Sequence, residues 1–440
     1  MFQNKRKSEL HCNSRTILYF NQLKFNKIVT KINDQTACLP LFTRLSYNRN
    51  SGQARQKIIE AQDMGYAMGS DAIGTLELNQ SFEGQSLPRL IQERWEQEAL
   101  SPYAAKAVES QGREHPEEHC PLRTVWQRDQ DKIIHSKAFR RLKHKTQVFI
   151  SPVGDHFRTR LTHTLEVTHV SRTIARALRL NEDLTEAIGL GHDIGHPPFG
   201  HTGESALAHL YSGGFLHNLH SIRMATIIEP LNLTQETLDG FAHHTGKGTA
   251  TTLEGQIVKT ADRMAYLAHD IDDAIRAGLM ANETLPQEIS AILGQSKSER
   301  LTTMVWGMIN GTLSDMNRYE AERQQNPGQE IAPPSVTITP EVEQAMNALR
   351  QWMFKHIYLS PAQQQEGKNV RRVIGSLYEY FVEHPDEISP NTPESDDIER
   401  RVVDYIAGMT DRFALETYAR VLMPKPYISH PSQIYPVRLP

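Results

Sequence analysis

The sequence predicts an all-α fold, and three features carry that prediction. Alternating runs of β-branched residues, the mark of a half-buried strand, are scarce. Segments rich in Ala, Leu, Glu and Arg recur with apolar residues three and four apart. Between them stand Gly- and Pro-bearing breakers: "SPVGD", "GHPPFG", "SGG", "ETLP", "NPGQEIAPPS" and "HPDEISPNTPESDD". With 440 residues and 38% hydrophobic content, the chain is long enough for a sizeable core. Its length suits about three domains or one large helical domain with insertions.

Organised sequence begins near Leu90, where "LIQERWEQEAL" has helical spacing and Glu at solvent positions. The periodicity then predicts helices over 128–143, 161–180, 183–194, 202–211, 217–229, 234–243, 253–278, 299–318, 340–356, 367–383 and 397–420. Residues 1–85 show no sustained periodicity and read as a disordered or mis-assigned extension, with Met64 and Met68 as alternative starts. Their basic, acid-poor composition resembles an organelle transit peptide, but an unstructured leader on a cytoplasmic protein is the expectation. The division expected from sequence is 1–85 extension, 86–285 catalytic core, 286–422 helical part completing the site and an oligomer surface, and 423–440 Pro-rich irregular tail.

Composition excludes several classes. A net charge of -4 rules out a strongly basic nucleic-acid coat protein. Three cysteines without a CxxC pair rule out a disulfide scaffold and a thiolate zinc site. No segment approaches the roughly 18 uninterrupted apolar residues of a bilayer span, so no membrane partner is expected. "TGKGTATT" (245–252) holds a Gly-Lys pair but lacks the upstream Gly of a phosphate-cradling P-loop. Histidine is abundant, at 20, so a bound metal would take imidazole and carboxylate ligands.

The chemistry concentrates in three stretches. "GLGHDIGHPPFGHTGE" crowds His192, Asp193, His196, His201 and Glu204 around one helix end and a sharp turn. Ionisable groups packed among Gly, Pro and Phe are costly unless they pair or bind something. In "RLTHTLEVTHVSRTIARAL", His163 shares an inward helical face with Val167, Val170, Ile174 and Leu178. Arg160, one turn earlier, is an ill-suited core neighbour that would suit a phosphate. In "IVKTADRMAYLAHDIDDAI", Asp262, Tyr266 and Asp270 follow at i, i+4 and i+8 beside a face of small apolar residues. Two imidazoles and two carboxylates form a mixed set fit for Mn, Mg, Fe, Co or Zn as a divalent metal cofactor. Such a metal suits hydrolysis.

The H…HD…D pattern, with "QRDQDKIIHSKAFRRLKHKTQVF", "GHDIGHPPFGHTGE", "LNLTQETLDGFAHH", "GQIVKTADRMAYLAHDIDDA" and "VVDYIAGMTDRFA", resembles the dGTPase-type dNTP triphosphohydrolases of the HD phosphohydrolase superfamily. The resemblance runs from about Leu100 to about Leu422. It implies an HD-domain helical fold with added carboxy-terminal helices, and metal-dependent hydrolysis of a dNTP substrate to deoxynucleoside and tripolyphosphate. It implies His163, His192, Asp193 and Asp262 as metal ligands, and His201, Glu204 and His217 as catalytic residues. It implies Gln147, Arg160, His196, Arg263, Tyr266, Asp270 and Tyr405 as substrate contacts, and a homo-oligomer. Single-stranded nucleic acid or a dNTP effector stands as a further partner. Gln130 and His220 depart from the family's usual Arg and Gln. The alternatives are another HD phosphohydrolase, acting on deoxynucleoside monophosphates or cyclic nucleotides, and a non-hydrolytic nucleotide sensor.

Overall fold

The computed structural model describes residues 87–147, 158–278, 280, 285–388 and 397–424. The basic leader, the "SPVGD" breaker, part of the acidic loop after Pro385 and nearly all of the Pro-rich tail lie outside the described residues. Within them the fold is all-α, with fifteen α-helices and no strand. None of these helices is long and apolar enough to cross a membrane.

Helix α1 (Leu87–Ala99) precedes a coil, and α2 (Val125–His135) opens on a capping box between Thr124 and Gln127. The single helix expected over 128–143 is in fact two. Ser136 adopts extended backbone, and its hydroxyl caps α3 (Lys137–Arg141) by accepting from Phe139 N. The Glu229 carboxylate takes the N–H groups of Lys137 and Ala138, so the break leaves no orphan donor. Next come α4 (Arg160–Leu178), capped by Thr159, and α5 (Glu182–Gly191), capped by Asn181 with Glu182 and Asp183 favouring its positive end. They pack on each other closely at Gly189, where a Cβ would meet Thr168 Oγ1 at 2.8 Å.

After α6 (Gly200–Leu210), α7 (His217–Arg223) and α8 (Gln235–His243) comes the long α9 (Leu253–Arg276). A short α10 (Gln287–Leu293), not expected from sequence, leads to α11 (Lys297–Gln325) and α12 (Pro340–Met353). Helix α11 runs past the expected 318 because Arg318 pairs with Asp315 and Glu322 on its solvent face. Helix α13 (Pro361–Glu383) starts at Pro361 behind a Ser360 cap rather than at 367. The helix expected over 397–420 breaks at Gly408. Thr410 then caps α15 (Asp411–Leu422) separately from α14 (Ile398–Ala407).

Helices α4 and α9 are central. One face of α9 (Ile257, Ala261, Met264, Leu267, Ile271) joins a core with α4 and α10–α12. Val258 and Ala265 reach a second core with α2, α5 and α8. Burying each large aliphatic side chain contributes about 1.5–3 kcal/mol. A third core unites α6 with α13, α14 and α15 through Phe199, Leu207, Ile374, Phe381 and Val403. The first and third cores both cross residue 285, the boundary expected between catalytic and carboxy-terminal parts.

Glu254, fully buried in the first turn of α9, accepts from Ala105 N at 3.0 Å and Asn181 N at 2.9 Å. Burial pushes its carboxyl up to about 6 despite these bonds. Its folded pKa exceeds the unfolded value of 4.5, so its ionisation opposes folding as pH rises from about 4.5 through about 6. Glu254→Gln keeps an acceptor and removes the charge. Its stability relative to wild type should therefore rise between pH 4.5 and 8 by up to about 2 kcal/mol. Urea unfolding at the two pH values measures this, and a pH-independent difference contradicts it.

Candidate active site

Helix α5 ends at Gly191 with His192 as its cap, and the chain turns through Asp193, Ile194 and Gly195. Gly195 is required by contact rather than by backbone angle: a Cβ would lie 2.1 Å from Ser221 N. Ser221 Oγ accepts from Gly195 N and donates to the His192 carbonyl, locking the turn to α7. The turn then brings together residues from α4, α5, α7, α8 and α9.

Asp193 lies at the centre, 3% exposed. Its Oδ2 pairs with Arg160 Nη1 at 2.6 Å and stands 3.5 Å from His192 Nε2 and 3.8 Å from His163 Nε2. Its Oδ1 is 3.9 Å from both His217 Nε2 and His244 Nε2. Burial alone would raise this carboxyl, but the neighbouring His192 and Arg160 hold it well below the usual carboxylate range. Asp262 Oδ1 lies 3.0 Å from His163 Nε2.

The donor set fits a divalent cation. His192 Nδ1 lies 2.7 Å from the Gly189 carbonyl and so carries the proton. Its Nε2 is therefore a bare lone pair, buried and without a partner. Donor atoms of His163, His192 and Asp193 lie within 4.8 Å of one another. An orphaned buried imidazole nitrogen is expensive unless something binds it.

A second group adjoins the first. Glu204, on α6, bridges two histidines: Oε2 meets His201 Nδ1 at 2.9 Å and Oε1 meets His217 Nδ1 at 2.8 Å. Burial opposes ionisation of Glu204, but these two bonds hold it far below its ordinary range. The His201 side chain is 74% exposed, leaving its Nε2 on the open side. His196 stacks on His217 with ring centroids 4.1 Å apart, and both its nitrogens are buried without partners. Burial, then the charge of Arg160, keeps His196 neutral.

His244 Nε2 lies 3.0 Å from His217 Nε2, while His244 Nδ1 faces the Phe241 carbonyl at 2.8 Å. Burial and the neighbouring histidines depress His244 to about 3, so it is neutral and Nε2 accepts. His217 then donates from both nitrogens, one to His244 and one to Glu204.

Of the expected substrate contacts, Arg160, His196 and Gln147 border these groups. The Gln147 carbonyl is 3.5 Å from Arg160 Nη2, and its side-chain Oε1 is buried without a partner. Gly200 (φ 57°) follows Phe199 (φ 63°) in a left-handed turn, and a Cβ on Gly200 would press on Arg160 Nη2 and the Gln147 carbonyl. Arg263 and Tyr266 lie farther along α9. Arg263 Nε is buried and unpartnered, and burial pushes Tyr266 up to about 12 with Arg350 opposing. Asp270 is 1% exposed and accepts from Tyr358 Oη at 2.6 Å. Tyr405 lies elsewhere, packed edge-on against Phe381 and lining a cavity of about 460 Å³ with Lys137, Arg141 and Phe413.

A family model for the HD domain matches residues 160–267, and one for a phosphohydrolase-associated domain matches 336–420. A deoxyguanosinetriphosphate triphosphohydrolase-like protein of Caldanaerobacter subterraneus is 47% identical over 346 residues, covering 77% of this chain and 97% of the relative. Proteins of the same name from Desulfatibacillum aliphaticivorans and Clostridium tetani are 40% and 41% identical, each covered over 99% of its length, with 77% and 78% of this chain. The chain belongs to the dGTPase-like HD phosphohydrolases. It is thus a hydrolase of the HD class.

Two residues that depart from the usual dGTPase-like pattern sit away from Asp193. Gln130 donates to the Asp183 carbonyl at 2.8 Å, tying α2 to the start of α5. His220 is kept neutral by burial and then by the Arg400 charge, and its Nδ1 accepts from Arg400 at 3.0 Å. A Gln side chain could accept there equally well.

Sequence reading missed several residues of this dGTPase-like site. His244 and His269 each had a visible signal, a His beside the quoted "FAHH" and "AHDIDDA" motifs, but their partners are 27 and 106 residues away. Lys145 and Asp411 lie inside the quoted "KTQVF" and "GMTDRFA" stretches, yet nothing local marks either as part of a site. Lys145 is 2% exposed and donates to the carbonyls of His196 and Ala407, joining the active-site turn to the end of α14. Asp411, in the first turn of α15, accepts from Phe199 N and Thr146 N at 2.9 Å and from the Thr146 hydroxyl. It thereby restrains the strained Phe199 backbone ahead of His201. Asp411→Ala should destabilise the fold by about 2–4 kcal/mol, because it strands the buried Phe199 N–H and the half-buried Thr146 N–H. A urea midpoint equal to wild type would show that this clamp contributes nothing.

Proposed function

We propose that this protein hydrolyses deoxynucleoside triphosphates to deoxynucleoside and tripolyphosphate. The observation that carries the reading is the juxtaposition of two groups. Glu204 orients His201 and His217 beside a set formed by His163, His192, Asp193 and Asp262, in which His192 offers a buried free lone pair. The names of the relatives point to the substrate class.

In this reading His163, His192, Asp193 and Asp262 hold a divalent cation. Once bound, it supplies Lewis acidity toward a phosphoryl oxygen and acidifies water. The chain's own residues do the rest. Arg160, neutral His196 and the first turn of α6 face the α-phosphate and offset its charge. Water oxygen bonds to the α-phosphorus as the bond to the 5′-oxygen breaks, and a proton must reach that oxygen. His201, steered by Glu204 at Nδ1 and open at Nε2, delivers it. His217 stands behind as the fixed neighbour that shares Glu204. Arg263 and Tyr266 extend the site along α9 toward the distal phosphates and sugar, and Gln147 faces the nucleoside. Asp270, one turn past Tyr266 and acting on its hydroxyl electrostatically, accepts from Tyr358, while Tyr405 lines a separate cavity.

His192→Ala and Asp193→Ala should each abolish dNTP hydrolysis while retaining helical circular dichroism. His201→Ala should lower kcat by about 10²–10⁴-fold with cation content unchanged. Steady-state kinetics with tripolyphosphate detection, alongside elemental analysis, makes the comparison. Loss of the cation in His201→Ala would make His201 a ligand and shift the proton donor to His217. Release of pyrophosphate or monophosphate instead of tripolyphosphate would favour the other HD phosphohydrolase reading.

A further inference from the structure

Behind His163 lies a line of buried polar groups that the proposed chemistry does not use. His163 Nδ1 is 2.9 Å from His269 Nε2, and both rings are at most 1% exposed. His269 Nδ1 in turn lies 2.8 Å from Asp270 Oδ1. That approach is short but off the hydrogen-bond axis, so both atoms lack a well-formed bond and the contact is mainly electrostatic. Asp270 Oδ2 accepts from Tyr358 Oη at 2.6 Å, which aims the carboxylate. Tyr358 ends the π-helical turn Phe354–Tyr358 that continues α12.

The order of protons along this line can be deduced. Tyr358 donates to Asp270, because a carboxylate only accepts. The Asp270 charge beside His269 Nδ1 favours the tautomer with a proton on that nitrogen. His269 Nε2 is then an acceptor, and His163 must donate to it from Nδ1. His163 Nε2 is left as a bare lone pair, turned toward Asp193 and Asp262. His192 reaches the same state by a different route, through the Gly189 carbonyl.

We infer that His269 is a positioning residue that fixes the tautomer and ring direction of His163 for cation binding, with Asp270 and Tyr358 setting the tautomer of His269. This rests on the reading of His163 as a ligand given above. It gives Asp270 a part in the support of a ligand, and it ties the π turn of α12 to the metal set. Outer partners of metal-ligating imidazoles commonly govern affinity by 10- to 100-fold.

The test uses the full chain and Mn²⁺ alone, with free ion followed by electron paramagnetic resonance and no nucleotide present. His269→Ala should weaken Mn²⁺ binding by about 10–100-fold. His269→Gln, whose side-chain oxygen can still accept from His163, should recover part of that loss. Asp270→Asn should weaken binding as well, because its amide can donate to His269 Nδ1 and reverse every proton along the line. A direct substrate contact at Asp270 would instead leave Mn²⁺ affinity unchanged and raise KM. Wild-type Mn²⁺ affinity in both His269→Ala and Asp270→Asn overturns the inference. His192→Ala is the control for the underlying reading. If it too binds Mn²⁺ like wild type, the ligand set is wrong and the inference falls with it, whereas loss in His192→Ala alone sinks only the role of His269.

Discussion

The ion pair between Arg160 and Asp193, 2.6 Å long and almost fully enclosed, is the contact around which the rest is arranged. A carboxylate taken out of water costs several kcal/mol unless it is paired and hydrogen-bonded. Asp193 meets that demand through the Arg160 guanidinium, while ring nitrogens of His163, His192, His217 and His244, drawn from α4, α5, α7 and α8, stand 3.5–3.9 Å from its oxygens. Each of those helices must therefore bring its residue to the same carboxylate. The three apolar cores supply cohesion, but their side chains alone would not select this register.

Rigidity at the centre depends on groups far along the chain. The turn Pro197–Gly200 contains two successive left-handed residues, one of them Phe199. Such backbone persists only where surrounding bonds over-determine it. Asp411 and Lys145 provide those bonds from both sides, and the buried Phe199 ring joins the α13–α15 core. Asp404, fully enclosed, gathers Arg223 and Arg400 and fastens α7 to α14. The carboxy-terminal helices thus act as a brace on the catalytic turn as well as a separate layer of fold.

Two histidines facing Asp193 obtain their tautomers by different means. His192 uses a helix carbonyl one turn back, a device contained within one helix end. His163 depends on His269, Asp270 and Tyr358, which couples it to α9 and α12.

Much of this was readable from local pattern. Helical spacing placed His163 on an inward face, and the density of His, Asp and Gly at 189–204 marked the turn, because both depend on neighbours within a few residues. Capping chemistry could have found the breaks at Ser136 and Gly408, which a run of apolar periodicity conceals. His244, His269, Lys145, Asp411 and Tyr358 were not legible as parts of a site. Each acts on a partner 27 to 265 residues away, where no periodicity connects them. Asp270 shows the difference most clearly. Its stripe with Asp262 and Tyr266 is a property of one helix, fixed by the sequence of α9 alone. Whether its carboxylate meets substrate or Tyr358 depends on how α12 docks, and that is decided by the packing of Met346, Leu349 and Met353 against α9 and its neighbours in the first core.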